Sequence, residues 1–138
     1  MKYLVDTSVI AQKRIFRLAK NKLRGTILIP NAVIAELENL ANKGKKAGFD
    51  GLEEIAKLHK LKPKIKLRFV GPRPSEHQIK YARSGEIDAL IRELARKYKA
   101  TLITADIVQY KSALAYGIEA IFLKTRKRKK KKKFLFLR

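Results

Sequence analysis

The run Lys2-Tyr3-Leu4-Val5-Asp6-Thr7-Ser8 decides the architecture. Its apolar stretch is short and β-prone, and it ends in an acid. The apolar residues that follow, Val9, Ile10 and Ile15, suit a helix over residues 8–23, with Ser8 placed to cap it and Gly25 to stop it. Strand followed by helix then recurs. Residues 26–29 form a second apolar run closed by Pro30. Asn31 is placed to cap a helix that carries Val33, Leu37, Leu40 and Ala41 as far as the Gly44 region. A further helix fits 52–61 and is broken by Pro63. Residues 65–70 alternate with Lys66 and Arg68, as a strand with one wetter face does. Helical stretches over 75–85 and 86–99, a strand over 100–104, a helix over 106–116 and a strand over 118–123 complete the pattern. Five strands alternating with helices predict βαβ units: an α/β domain with a parallel sheet and helices on both faces.

The 138 residues fit one domain, and 46% hydrophobic residues supply a core for it. No cysteine is present, which excludes disulfides, thiolate metal sites and cysteine nucleophiles. No apolar run is long enough to span a bilayer, and Asp6 interrupts the N-terminal apolar stretch too early for a secretory signal. The expected location is cytoplasmic. A net charge of +22, from 34 Lys+Arg and 12 Asp+Glu, points to a polyanion, nucleic acid first and an anionic membrane surface second.

The charge has structure along the chain. All 12 acids lie within residues 1–123, beside 24 Lys+Arg, whereas residues 124–138 hold ten Lys+Arg and no acid. The expected division is therefore a domain over 1–123 and a basic, flexible tail over 124–138. Lys124, Arg126, Lys127, Arg128, Lys129, Lys130, Lys131, Lys132 and Lys133 are its candidate nucleic-acid-binding residues, gripping phosphates without reading bases. Phe134-Leu135-Phe136-Leu137 after them is read as a docking segment, with a homodimer as one outcome.

Four acids stand where solvated charges are not expected. Asp6 and Asp106 follow the first and fourth predicted strands, at the carboxyl ends where open parallel sheets bind ligands. Glu36 has Ala32 and Leu40 one turn either side, and Asp88 has Ile91 and Ala95 at i+3 and i+7, so both lean inward. Glu38, Glu53, Glu54 and Glu93 fall on polar faces. Asp6 and Asp106 also suit helix caps, and Glu36 and Asp88 suit ion pairs with lysines. Four inward acids in a basic chain repel one another, and a hard divalent ion, Mg²⁺ or Mn²⁺, relieves that repulsion. Such an ion activates water and stabilises a phosphoryl transition state, so a basic surface around an acidic site is the pattern of a nuclease.

Other chemistry is thin. His59 and His77 lack a nucleophile partner and are read as surface residues. No Gly-rich phosphate loop with Lys-Ser/Thr is present, and no small-molecule cofactor is expected. Asp6-Thr7-Ser8 lacks the second aspartate of haloacid-type phosphatases. Tyr81, Tyr98, Tyr110, Tyr116 and the phenylalanines form no RNA-binding aromatic platform, and most of them are read as core or half-buried.

Leu4-Val5-Asp6-Thr7-Ser8, the stretch 30–40 carrying Glu36, Gly85-Glu86-Ile87-Asp88-Ala89-Leu90-Ile91 and Leu102-Ile103-Thr104-Ala105-Asp106 together resemble the acidic quartet of PIN-domain ribonucleases. The likeness runs along almost all of 1–123. It is closest to the N-terminal PIN domain of archaeal PIN–ATPase–KH proteins. The resemblance implies a three-layer α/β/α fold with sheet order 3-2-1-4-5, and metal-dependent hydrolysis of single-stranded RNA. It implies Asp6, Glu36, Asp88 and Asp106 as catalytic metal ligands, with Thr7, Ser8 and Thr104 in support. The chain departs from that pattern in its Lys-rich tail and in Ile107, which follows Asp106 without a further acid. Three readings follow: an Mg²⁺- or Mn²⁺-dependent endoribonuclease, a non-catalytic PIN-fold module that docks on RNA (for example in ribosomal RNA processing), or the toxin of a toxin–antitoxin pair.

Overall fold

In the computed structural model, residues 1–81 and 85–124 are described. Five strands form one wholly parallel sheet in the order β3-β2-β1-β4-β5: β1 (Lys2–Val5), β2 (Gly25–Pro30), β3 (Ile65–Val70), β4 (Thr101–Thr104) and β5 (Ala120–Phe122). The order matches the expectation. Parallel strands covered on both faces should be apolar throughout rather than alternating. Leu4, Val5, Ile27, Leu28, Ile29, Leu102 and Ile103 are indeed fully buried. β3 lies at an edge and keeps the basic alternation, with Lys66 and Arg68 exposed.

Between β1 and β2 run α1 (Thr7–Ala11) and α2 (Ile15–Lys22), and between β2 and β3 run α3 (Asn31–Asn42) and α4 (Lys46–Leu58). Right-handed crossovers put these four helices on one face. α6 (Glu86–Tyr98) and α7 (Ile107–Ala115) cover the other, giving three layers, α/β/α, while the short α5 (Glu76–Tyr81) packs beside α3. The crossovers change face between β1 and β4. That switch opens a crevice at the carboxyl ends of the two strands.

Three local readings are corrected. The helix expected over 8–23 is two helices, because Lys13 takes a left-handed φ of 57° and turns the chain between them. Ser8 is not the cap: Asp6 is, its side chain accepting from Thr7 N. The helix expected from residue 52 begins at Lys46, since Gly48 and Gly51 are packing residues and not breakers. A Cβ on Gly48 would stand 2.3 Å from Ala41 N and 2.5 Å from Leu37 O, and one on Gly51 would stand 2.4 Å from Leu37 Cδ2. The missing side chains let α4 lie directly on α3.

Among the aromatics, Tyr81, Tyr116, Phe49 and Phe69 are exposed rather than buried. His59 stacks on Phe69 and His77 lies against Tyr81. Among the described residues no helix is long and apolar enough to cross a membrane. Of the expected tail only Lys124 is described; the expectations for 125–138, including the 134–137 segment, lie outside the described residues.

Candidate active site

Asp6 is the centre of the crevice. β1 and β4 pair as Leu4 with Leu102 and Val5 with Ile103, and the ladder ends on Asp6 N donating to Ile103 O at 3.0 Å. The two strand ends are thereby locked side by side. The Asp6 residue is 2% exposed, yet both of its carboxylate oxygens accept hydrogen bonds. Oδ1 accepts from Thr7 N at 2.9 Å, and Oδ2 accepts from Thr104 Oγ1 at 2.7 Å and from Ser8 Oγ at 3.2 Å. Burial pushes its pKa up to about 6. The hydrogen bonds oppose that rise and the charge of Asp88 adds to it.

Thr7, Ser8 and Thr104 each serve two masters. Thr7 Oγ1 donates to Glu36 Oε1 at 2.5 Å, joining α1 to α3. Ser8 Oγ accepts from Ala105 N at 2.9 Å and lies 3.3 Å from Thr104 Oγ1. Thr104 Oγ1 accepts from Asp106 N at 3.0 Å while donating to Asp6. The three hydroxyls thus fix the acids relative to one another.

The remaining acids come from three helices. Glu36 on α3 and Asp88 on α6 are half-buried, and both carboxyls are raised above the usual carboxylate range, chiefly by burial. The charges of Asp6 and Asp88 add to the rise at Glu36. At Asp88 the charge of Asp106 adds and that of Arg92 opposes. Asp106 caps α7, its Oδ1 accepting from Val108 N at 2.8 Å and Gln109 N at 3.3 Å. The structure therefore brings Asp6, Glu36, Asp88 and Asp106 into one electrostatic neighbourhood drawn from four separate stretches of chain.

Gln109 is the residue that the sequence did not announce. It is 1% exposed, donates through Nε2 to Asp88 O at 3.1 Å, and accepts from Arg92 Nη1 at 2.6 Å. It ties α7 to α6 and so sets Asp88 against Asp106. Its one sequence mark is the i+3 position after Asp106, on the inner side of the helix.

Among the described residues no three acids or histidines are gathered as a ready-made ion cage. The donor set nonetheless suits a hard divalent ion. Among the described residues the Asp88 carboxylate oxygens, Glu36 Oε2 and Asp106 Oδ2 accept no hydrogen bond, so their lone pairs are free. Mg²⁺ characteristically binds through one or two carboxylates and keeps several waters, and does not need an all-protein cage.

Glu54 corrects another expectation. It is 1% exposed and not a solvated charge. From α4 its Oε2 accepts from Phe16 N at 2.9 Å, serving the N-terminus of α2 as a cap would, because Arg14 at that end makes no side-chain cap bond. Its Oε1 has no hydrogen bond and lies 3.6 Å from Lys57 Nζ.

A parallel α/β/α sheet whose switch point carries four coupled carboxylates defines an acid-centred α/β domain. The chain matches the PIN domain family over residues 3–115 and belongs to it; PIN domains are generally nucleases. It is 45% identical over 126 residues to an uncharacterized KH- and PIN-domain-containing protein of Methanocaldococcus jannaschii, covering 88% of this chain. The match falls in the N-terminal part of that relative, and the chain spans only 20% of its length. A solved domain of a functionally unknown protein from the same species superposes with a TM-score of 0.85 and 43% identity, over 93% of this chain and 94% of that one.

Proposed function

We propose that this PIN domain is an endoribonuclease that hydrolyses single-stranded RNA with Mg²⁺ or Mn²⁺ held by Asp6, Glu36, Asp88 and Asp106. One observation carries the reading: in a chain of net charge +22, Asp6, Glu36 and Asp106 are tied together through Thr7 and Thr104 at a single strand-end crevice, and the charges of Asp6, Asp88 and Asp106 help to raise the carboxyls beside them. A module that only docked on phosphates would gain nothing from acids facing them. A bound divalent ion would supply a more acidic water and countercharge for the phosphoryl group.

The protein's own groups prepare the place for this. Thr7 N, Ser8 and Thr104 hold Asp6 in one orientation, and Thr7 turns Glu36 toward the same crevice. Asp88 and Asp106 keep free oxygens at the mouth, where the strand enters. Arg92, one turn beyond Asp88, places a cation beside that entry. In-line attack by water on phosphorus, with the P–O3′ bond breaking and the 3′ oxygen leaving with a proton, would leave a 5′-phosphate and a 3′-hydroxyl.

The test is cleavage of an end-labelled single-stranded RNA by the full chain with Mn²⁺, with and without chelator, beside Asp88→Asn. Cutting should require the ion and be lost in the variant, whose circular dichroism should match the parent. RNA bound tightly but left intact by the parent with Mn²⁺ would overturn the proposal in favour of a docking module.

A further inference from the structure

The acids are not the only concentration of charge in the fold. Between Asp6 and Glu36 the chain carries six Lys or Arg and no acid. Most of these cations fall on α2 and its flanks, where a cleft of about 1250 Å³ opens between α2 and α4. Lys13, Arg14, Arg17, Lys20, Lys22 and Lys57 line it, and none of the four site acids does. Two acids also line it, but both are spent inside the protein. Asp50 pairs with Lys46 at 2.7 Å and Lys13 at 3.7 Å, and Glu54 is buried against Phe16 N and Lys57. Among the described residues Arg17, Lys20 and Lys22 meet no acid.

Two features join this cleft to the site. α1 runs from one to the other: Ser8 touches Asp6, and Gln12, four residues on, stands on the cleft wall, about 6 Å along the axis. At the other rim the Arg14 guanidinium donates to Lys124 O, beside Leu123, so β5 delivers the chain there. Nine further Lys+Arg follow Lys124 in the sequence. Arg17, Lys20 and Lys22 stand together on α2 with no acid to pair with among the described residues, so they repel one another, and a polyanion laid along them removes the repulsion.

We propose that the α2–α4 cleft is an accessory phosphate-binding tract that holds the backbone of the RNA strand beyond the acidic crevice, with Arg17 and Lys20 as its exposed contacts. This rests on the reading of the domain as RNA-directed. It goes beyond it in giving the strand a path: along α1, out of the crevice and over α2. Arg17 and Lys20 are one turn apart and point the same way, so they would meet neighbouring phosphates without reading bases.

The test is binding of a single-stranded oligonucleotide by the full chain in chelator, where no cleavage complicates the isotherm, at several salt concentrations. Arg17→Gln with Lys20→Gln should lower the slope of log K against log salt by about 1.4, since each phosphate lost on a single strand removes about 0.7. At 0.1 M salt the affinity should drop roughly 25-fold. Lys97→Gln with Lys111→Gln removes the same charge from the opposite helical layer and should leave the slope unchanged. Thermal melts of both doubles establish that the fold is retained. An unchanged slope in the α2 double variant, or an equal fall in both doubles, would overturn the tract. So would loss of binding to phosphatidylglycerol vesicles in the α2 variant with RNA binding intact, which would make the face a membrane contact. Failure of Mn²⁺-dependent cleavage alone would sink the nuclease reading and leave this result standing.

Discussion

Asp6→Asn should make the metal-free protein more stable at neutral pH and change how stability depends on pH. Asp6 is 2% exposed, and burial raises its pKa from 3.8 to about 6. Ionising it therefore costs about 3 kcal/mol more in the fold than in the unfolded chain. The sign follows from proton counts. Between those two values the folded state keeps a proton that the unfolded chain has released, so stability falls as pH rises through the window. Above pH 6 the fold carries the whole cost. Asparagine removes it, and also relieves Glu36, whose carboxyl Asp6 helps to raise. Against this, the amide presents Nδ2 where Oδ2 accepted from Thr104 and Ser8, and turning those hydroxyls around costs about 1 kcal/mol. The net gain at pH 7.5 is about 2 kcal/mol, a rise in melting temperature of roughly 8 °C for a domain of this size. At pH 4 the gain should vanish or reverse. Urea and thermal unfolding of both proteins in chelator at pH 4, 5.5 and 7.5 measure this. A variant less stable than the parent by the same amount at every pH would refute the account of Asp6 as a buried, destabilising charge.

Two further outcomes test the frame that positions the site. Glu54→Ala leaves the Phe16 N–H without its acceptor and should cost about 2 kcal/mol in urea unfolding, while Glu54→Gln keeps an acceptor and should cost less than about 1 kcal/mol; equal stability of the alanine variant and the parent would count against the capping role. Gly48→Ala would force α3 and α4 apart against backbone atoms and should cost about 3 kcal/mol, whereas Gly44→Ala meets no neighbouring atom and should cost about 1 kcal/mol for its φ of +75°, a ranking that thermal melts can check.

The sheet was legible because its strands are apolar runs bounded by breakers, and their alternation with helices leaves few topologies. The strand-end acids were legible for a related reason: an acid directly after Tyr3-Leu4-Val5 or Leu102-Ile103-Thr104-Ala105 has few structural excuses. What escaped depends on partners far along the chain. Nothing near Lys13 marks a left-handed turn, since neither glycine nor asparagine stands there. Glu54 looks solvated beside Glu53 and Lys57, and its burial is decided by a backbone N–H 38 residues earlier. Gly48 and Gly51 carry the same local signal as helix breakers, and only the proximity of α3 makes them packing residues. Gln109 is a neutral amide with no charge pattern to expose it, although it bridges two of the acidic helices.

The bonds from Thr104 Oγ1 to Asp6 and from Ala105 N to Ser8 span 98 and 97 residues of chain. Sheet order makes this unavoidable, because β1, the first strand made, waits for β4 to complete its second edge. A growing polypeptide that has reached β3 already contains Asp6 and Glu36, yet it lacks the hydroxyl, the peptide and the two acids that turn them into a site. Contacts of such long sequence separation close late in folding. Whatever chemistry the crevice performs is therefore withheld from nascent and truncated chains, and its appearance is a direct report that the whole domain has folded.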